Sequence, residues 1–315
     1  MTYLPEGKLL ATAENQYYIN NRDKLYEACA SEKILEAKVQ LCDQQHNLHL
    51  NLGGVKAMIP REEGALGIKE GTVRDIAVIS RVNRPVSFVI TDITTDSNGE
   101  MFALLSREKA QKKCFENYVA NLQKGDVVDA RVTRLEAFGV FADIGCGVVA
   151  LMPIDAISVS RIEHPKERFT VGMDIKAVIK SIDNGRISLS HKELLGTWKE
   201  NVQQFCPGET VTGIIRSVES YGSFVELTPN LAGLAEVRDG MNLGTSDIVG
   251  KEATVYIKSI IPERMKVKLV LIDLYRGDMS APSLKYFIDN ASARHIDKWR
   301  YSPKESSKII ETVFE

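Results

Sequence analysis

The sequence predicts a mainly β protein with three small five-stranded barrels in tandem, joined by linker helices and followed by a helical C-terminal tail. Three observations support this prediction. Short segments that alternate apolar and polar residues fill most of the chain between residues 33 and 274. The run Phe138-Gly139-Val140-Phe141 returns as Tyr221-Gly222-Ser223-Phe224, and such self-similarity indicates repeated modules. Stretches with helical spacing, which end at glycine or proline, separate the alternating regions.

Length and composition favour several ordinary globular domains. The 315 residues exceed the usual size of one domain, and 44% hydrophobic with 26% charged residues argues against wholesale disorder. A net charge of -2 excludes a protein that is basic over its whole surface, so any nucleic-acid site must be local. The sequence has no long apolar run and no signal peptide at its start, so we expect a cytoplasmic protein without a membrane segment.

The first part of the chain predicts a helical extension and a first barrel. Residues 1–32 suggest one or two short helices, and residues 33–108 carry the alternating segments of a diverged barrel. In this barrel Leu48, Leu50 and Leu52 face one way and His49 faces the other. Residues 109–123 have helical spacing up to Gly125 and predict a linker helix.

The central region, residues 124–192, predicts the best-defined barrel. Its five strands are expected at Val127–Glu136, Val140–Ile144, Val148–Met152, Asp174–Ile182 and Arg186–Ser190. Alternation places Phe141 on the face opposite Val140 and Ala142, together with the charged Asp143. Since an aromatic residue that shares a face with a carboxylate should reach solvent, we expect Phe141 to offer a stacking surface for an unpaired base.

The remaining chain predicts a second linker helix, a third barrel and the tail. Residues 193–206, at the capping-box pair Ser190 and Glu193, predict the linker helix. Residues 207–274 repeat the strand pattern and predict the third barrel. Residues 275–315, where the strand pattern stops, form the tail. A second capping-box spacing, Ser302 and Glu305, predicts a helix near the C-terminus. The basic and aromatic cluster Lys298 to Tyr301 is interpreted as part of a docked tail or as an extra RNA contact.

Catalytic and metal-binding patterns are absent from the sequence. The five histidines are scattered, the five cysteines contain no CxxC pair, and Gly145-x-Gly147 precedes no helix. Only His46 and His49 lie close together in the chain, without a nearby cysteine or carboxylate motif. We therefore expect no enzyme activity, cofactor, metal or small-molecule substrate.

A set of residues in the central region resembles the S1 domain, an OB-fold RNA-binding module named after a bacterial ribosomal protein. The set comprises Gly125 before the first strand, Phe138-Gly139-x-Phe141, Asp183 and the run Arg186-Ile-Ser-Leu-Ser. The loop Ile162-Glu163-His164-Pro165 is also similar to its counterpart in that family. The resemblance covers the central region end to end, the third region well and the first loosely, which implies three tandem OB-fold barrels of the S1 type.

The resemblance implies an RNA-facing surface of two aromatics, a histidine, an aspartate and an arginine. Phe138, Phe141, Asp183 and Arg186 match it, whereas Pro153 stands at the histidine position. In the third barrel the candidates are Tyr221, Phe224 and Lys266, with Glu236 at the histidine position. The lysines Lys180 and Lys258 recur at equivalent positions of the fourth strand and could follow a sugar-phosphate backbone.

Two functions follow as expectations. The first is an RNA-binding protein that holds single-stranded RNA on the aromatic and basic face, in association with translation and with the ribosome as a further candidate partner. The alternative is an adaptor that docks on the ribosome or another protein and has little RNA affinity of its own. Near-neutral charge and the diverged first and third regions favour this alternative.

Overall fold

The computed structural model describes residues 3–95, 99–183, 185–236, 248–275, 284–288 and 293–314. The chain forms two compact units. The first comprises Met1–Leu122, Asp129–Arg131 and Asp143–Val149; the second comprises Gln123–Val128, Val132–Ala142 and Ala150–Glu315. Within the described ranges, none of the helices is both long and apolar enough to cross a lipid bilayer.

Two short helices precede the first sheet, as the sequence predicts. Helix α1 spans Ala13–Ile19 and helix α2 spans Arg22–Ala30, capped by the side chains of Thr12 and Asn21. The six strands of the first sheet are β1 Ile34–Lys38, β2 Leu41–Cys42, β3 Leu48–Leu52, β4 Val55–Ile59, β5 Pro85–Thr95 and β6 Met101–Ser106. The short helix α3, Ile76–Ile79, lies in the connection before β5.

The first sheet has the connectivity of a barrel whose first strand is broken. Its strand order is β1-β5-β6-β4-β3-β2, and β1 and β2 are separated in sequence only by Val39 and Gln40. If β1 and β2 are counted as two halves of strand 1, then β3, β4, β5 and β6 become strands 2, 3, 4 and 5. Their order around a ring is then 1-2-3-5-4. The leucines Leu48, Leu50 and Leu52 are buried, as their alternation predicts.

The central barrel is closed and follows helix α4, Arg107–Asn117. Its strands are β7 Val127–Glu136, β8 Gly139–Asp143, β9 Val149–Pro153, β10 Asp174–Asp183 and β11 Arg186–Ser190. These bounds agree with the predicted strands to within one residue, because alternation is strong in every segment. The strand order is again 1-2-3-5-4, with strands 3 and 5 parallel.

The third barrel is also closed and repeats this order. Its strands are β12 Thr210–Glu219, β13 Gly222–Thr228, β14 Leu231–Glu236, β15 Glu252–Ile261 and β16 Lys266–Leu274. Between the two barrels, a 3₁₀ turn at Lys192–Leu195 and helix α5, Trp198–Val202, replace the single predicted linker helix. The capping box of α5 is Thr197 with Glu200. The prediction of a mainly β chain with tandem barrels is confirmed, with two closed five-stranded barrels and, in place of the predicted first one, a six-stranded sheet.

The prediction of a helical tail is wrong for the residues that the structure describes. Strands β17, Lys298–Arg300, and β18, Glu311–Val313, form a two-stranded sheet instead. Ser302 does not cap a helix: its hydroxyl accepts a hydrogen bond from the Ile310 amide at 2.7 Å. Trp299 and Tyr301 are buried, and the Tyr301 hydroxyl donates to the Asn230 carbonyl at 2.7 Å. The tail is therefore docked through its aromatic residues.

Candidate nucleic-acid interface

Phe138 and Phe141 form an edge-to-face pair on the outside of the central barrel. Their ring centroids are 6.0 Å apart and the ring planes meet at 89°. Phe138 is 57% exposed, whereas Phe141 is half-buried. Perpendicular rings cannot both stack on one base, so Phe138 offers the open face and Phe141 supports it from the side.

Gly139 allows the β7–β8 turn that carries Phe138 to lie directly against β9. A Cβ atom at Gly139 would lie 2.3 Å from the Met152 carbonyl oxygen on β9. The Phe138 carbonyl accepts a hydrogen bond from the Ile154 amide at 2.9 Å, which ties the β7–β8 turn to the end of β9. Only glycine fits a turn held this close to a neighbouring strand.

Asp143 is not in solvent, which corrects one premise of the sequence analysis. It is only 2% exposed. Its carboxylate accepts hydrogen bonds from the backbone amides of Glu6, Gly145 and Gly147 at 2.7, 2.8 and 3.0 Å. Burial, with the nearby Glu6 charge, raises the pKa of Asp143 to about 7. The outer surface is thus open at Phe138, just before β8, and covered at Asp143, the last residue of β8.

Three further candidate residues of the central barrel lie on β10 and β11. Asp183 and Arg186 are exposed and face each other at the β10–β11 hairpin. Lys180 is exposed and occupies a β-bulge between Ile179 and Ser181. Strand β9 separates β11 from the aromatic strand β8, so the cationic and aromatic residues lie on neighbouring parts of one barrel surface.

The third barrel repeats the aromatic geometry. The Tyr221 and Phe224 centroids are 6.4 Å apart with the planes again at 89°, and Tyr221 is 63% exposed. Gly222 takes the place of Gly139: its φ is +144°, and a Cβ atom would lie 2.6 Å from the Ala235 carbonyl oxygen. The close approach of a glycine to the third strand and the perpendicular ring pair therefore occur in both barrels, although only Gly222 has a positive φ.

The two lysine candidates of the third barrel differ in their surroundings. Lys258 occupies a β-bulge like that of Lys180 and pairs with Glu236 at 3.2 Å, both side chains being about half exposed. In the central barrel Pro153 stands where Glu236 stands, so that position offers Lys180 no carboxylate. Lys266 is exposed and lies opposite Ile261 at the start of β16.

Comparison with known proteins assigns the central barrel. Residues 121–192 match the family described as S1 RNA binding domain. The central barrel is an S1 domain. The chain is also similar to the small ribosomal subunit protein bS1 of Staphylococcus aureus (strain COL), with 35% identity over 175 residues, which are 53% of this chain and 44% of that protein. The bS1 homolog of Bacillus subtilis (strain 168) is 28% identical over 233 residues, 71% of this chain and 57% of the homolog. The matches thus span about half the length of these relatives.

Two solved structures give weaker matches. A multidomain protein with nucleic acid binding domains from Streptococcus pneumoniae is 13% identical, covering 76% of this chain and 73% of that one, with a TM-score of 0.24. GSP13 from Bacillus subtilis is 23% identical, covering 28% of this chain and 63% of that one, with a TM-score of 0.22.

The first barrel lacks the aromatic pair of the S1 domain. His49 stands on β3, and its Nε2 lies 2.9 Å from Asp43 Oδ2, while His46 Nδ1 lies 3.3 Å from Asp75 Oδ2. The His49 contact lowers the pKa of Asp43 to about 2. Each histidine therefore has its own carboxylate partner. Among the residues that the structure describes, no group of three or more His, Cys, Asp or Glu side chains could hold a metal ion.

The sequence analysis missed two residues on the outer face of the third S1-like barrel, Leu234 and Lys268. Leu234 on β14 is half-buried beside Phe224, and Lys268 on β16 is exposed beside Leu234. The alternation of Lys266-Val267-Lys268-Leu269 would have placed Lys268 outward. Its position beside Leu234 depends on strand register, which the sequence pattern does not specify.

Proposed function

We propose that this chain binds single-stranded RNA on the outer surface of its S1 domain. Phe138 supplies a stacking face for a base, Phe141 supports that ring, and Lys180 and Arg186 follow the sugar-phosphate backbone. Asp183 accepts hydrogen bonds from base or ribose groups. The same surface of the third barrel, with Tyr221 and Phe224, provides a second platform.

The observation that carries this proposal is the exposed edge-to-face ring pair, present in two barrels with the same interplanar angle. Both sites combine one exposed ring with a supporting ring, and at both a glycine lets the turn lie against the neighbouring strand. Similarity to bS1 proteins supports a role in translation in the cytoplasm, with the ribosome as a partner.

The test is a titration of labelled single-stranded RNA with the full chain and with the variant Phe138→Ala/Phe141→Ala. Loss of a stacked base should weaken binding by about 1–3 kcal/mol, or roughly 5- to 150-fold. Tyr26→Ala is a matched control, because Tyr26 is a 55% exposed aromatic residue on helix α2. Equal affinity of the double variant and the wild type would reject the assigned face.

A second candidate function, docking on a protein partner, is supported by the first barrel. Its two histidines are engaged by carboxylates, and Leu41 and Ile76 are 56% and 65% exposed. Salt dependence separates the two functions, because RNA affinity that rests on phosphate contacts falls steeply with salt. Binding to isolated ribosomes that is unaffected by salt and by Phe138→Ala, but lost in Leu41→Asp, would favour docking.

A further inference from the structure

Lys268 lies level with Phe224 on the outer surface of the third barrel. Phe224 on β13 pairs with Leu234 on β14, and Leu234 pairs with Lys268 on β16. Ser217 and Ser259 continue this row on either side. Adjacent strands are spaced about 4.8 Å apart, so Lys268 stands roughly 10 Å from Phe224 across one leucine.

Lys266, which the family resemblance singles out, stands in a different row. It precedes Lys268 by two residues, and parallel pairing therefore places it level with Ala232, two residues before Leu234. Ala232 pairs with Glu226, whose carboxylate is buried by Arg168 and Arg216. Lys266 is thus level with a covered part of the face, whereas Lys268 is level with the aromatic platform.

The charges around the platform also single out Lys268. The carboxylate of Glu236 is matched by Lys258, and that of Glu226 by two guanidinium groups. Lys268 is exposed and makes no ion pair with any residue in the described ranges, and its row neighbours Leu234 and Ser259 are uncharged. Among the described residues, no carboxylate therefore neutralises the ammonium group of Lys268, which makes it a candidate contact for an anionic ligand.

We propose that Lys268 is a phosphate contact of the third barrel and holds the backbone of an RNA strand whose base stacks on Tyr221, the exposed ring that Phe224 supports. This assignment rests on the proposed function. An ammonium group on a flexible stem suits a contact to a phosphate whose position varies with sequence. The contact adds a cation to a barrel whose bulge lysine, Lys258, is engaged by Glu236.

The same row differs in the other two barrels. Parallel pairing puts Ser188 beside Leu151 in the central barrel and Leu104 beside Met58 in the first. These positions correspond to Lys268 beside Leu234. Among these three pairs, only the third barrel has a lysine in this row. Lys268 therefore gives RNA binding by the third barrel a steeper salt dependence than its other RNA-facing residues alone indicate.

The experiment uses the full chain with Phe138→Ala/Phe141→Ala, so that binding by the third barrel dominates. Lys268→Gln, Lys268→Arg and the control Lys251→Gln are compared on this background by titration with single-stranded RNA over a range of salt. Lys251 is an exposed lysine of the same barrel outside the row. We expect Lys268→Gln to weaken binding several-fold at low salt and to reduce the salt slope by about 0.7, the value for one phosphate contact on a single strand.

Lys268→Arg should keep the slope, and Lys251→Gln should leave both quantities unchanged. An unchanged slope in Lys268→Gln would overturn the assignment, as would a background that no longer binds RNA at all. Failure of the proposed function has a different signature: the background then binds as tightly as the wild-type chain. If the salt slope is nevertheless reduced in Lys268→Gln, the Lys268 contact is supported and RNA binding by Phe138 and Phe141 is rejected.

Discussion

Arg168 and Glu226 form a buried ion pair within the second unit, with Arg168 Nη2 donating to Glu226 Oε2 at 2.5 Å. Arg168 precedes β10 and Glu226 lies on β13. Glu226 also accepts two hydrogen bonds from Arg216, at 2.9 and 3.1 Å, and Arg216 contacts Glu167. Burial lowers the pKa of Arg168, and the Glu226 charge opposes that effect. One carboxylate therefore holds two guanidinium groups between the central and third barrels.

Removal of this carboxylate should destabilise the second unit strongly. In Glu226→Ala the buried Arg168 loses its carboxylate partner, whereas Arg216 keeps Glu167; a buried charge left unpaired costs about 3–5 kcal/mol. The measurement is the free energy of unfolding from denaturant titration. The control is Glu236→Ala, which breaks the half-exposed pair with Lys258 and should change stability little. Similar losses in the two variants would contradict a special role for burial.

The stability of the second unit should fall on mild acidification because of His191. This side chain is fully buried; its Nδ1 donates to the Ile157 carbonyl at 3.0 Å and its Nε2 accepts from the Tyr286 hydroxyl at 3.1 Å. Burial lowers its pKa to about 4. Below the unfolded pKa of about 6.5 the unfolded chain binds a proton that the folded chain refuses, so stability is lost as pH falls from 6.5 towards 4.

The expected loss from this histidine is about 2 kcal/mol between pH 7 and pH 5. Unfolding followed at both pH values in the wild type and in His191→Gln measures it, since the variant has no imidazole to titrate. His164→Gln is the control, because His164 is partly exposed at the surface. Equal pH dependence in the wild type and in His191→Gln would show that other groups dominate.

Gly139→Ala should disturb the β7–β8 turn through steric contact alone. The new Cβ atom would lie 2.3 Å from the Met152 carbonyl, so strand β9 or the turn must move. Gly172→Ala serves as control, because Gly172 has a positive φ of +89° but nothing within 4 Å of its Cβ position. We expect Gly139→Ala to lose more stability than Gly172→Ala and also to bind RNA more weakly. A smaller effect at Gly139 would mean that the turn is not constrained by β9.

Glu236→Gln should increase RNA affinity. The substitution removes a negative charge from the outer face of the third barrel and releases Lys258 from its ion pair. Affinity should rise by a few-fold at low salt and the salt slope should steepen, because one more cation can meet a phosphate. Glu116→Gln on helix α4 is the control for loss of one negative charge from the chain. An equal gain in RNA affinity in both variants would show that the net charge of the chain, and not the Glu236–Lys258 pair, controls the affinity.

Local pattern determined the strands of the central barrel and the direction of its core residues. Side chains two apart on a strand share a face, so Val140, Ala142 and the buried leucines of β3 could be placed inward from their spacing alone. The repeat of the aromatic run also identified the third barrel. Such signals involve neighbours in sequence and need no knowledge of the remaining chain.

Tertiary structure decided which parts of the outward face reach solvent. Alternation put Asp143 on the face of Phe141, but its carboxylate is buried and accepts a hydrogen bond from the Glu6 amide. Glu226, two residues after Phe224, is covered in the same way by Arg168 and Arg216. In the tail, burial of Trp299 and Tyr301 outweighed a capping-box spacing. Most of these contacts join residues far apart in sequence, which local spacing cannot reveal. The sequence thus specified the strands and which side chains point inward. Long-range contacts decided which outward side chains reach solvent, and strand pairing placed Lys268 level with Phe224.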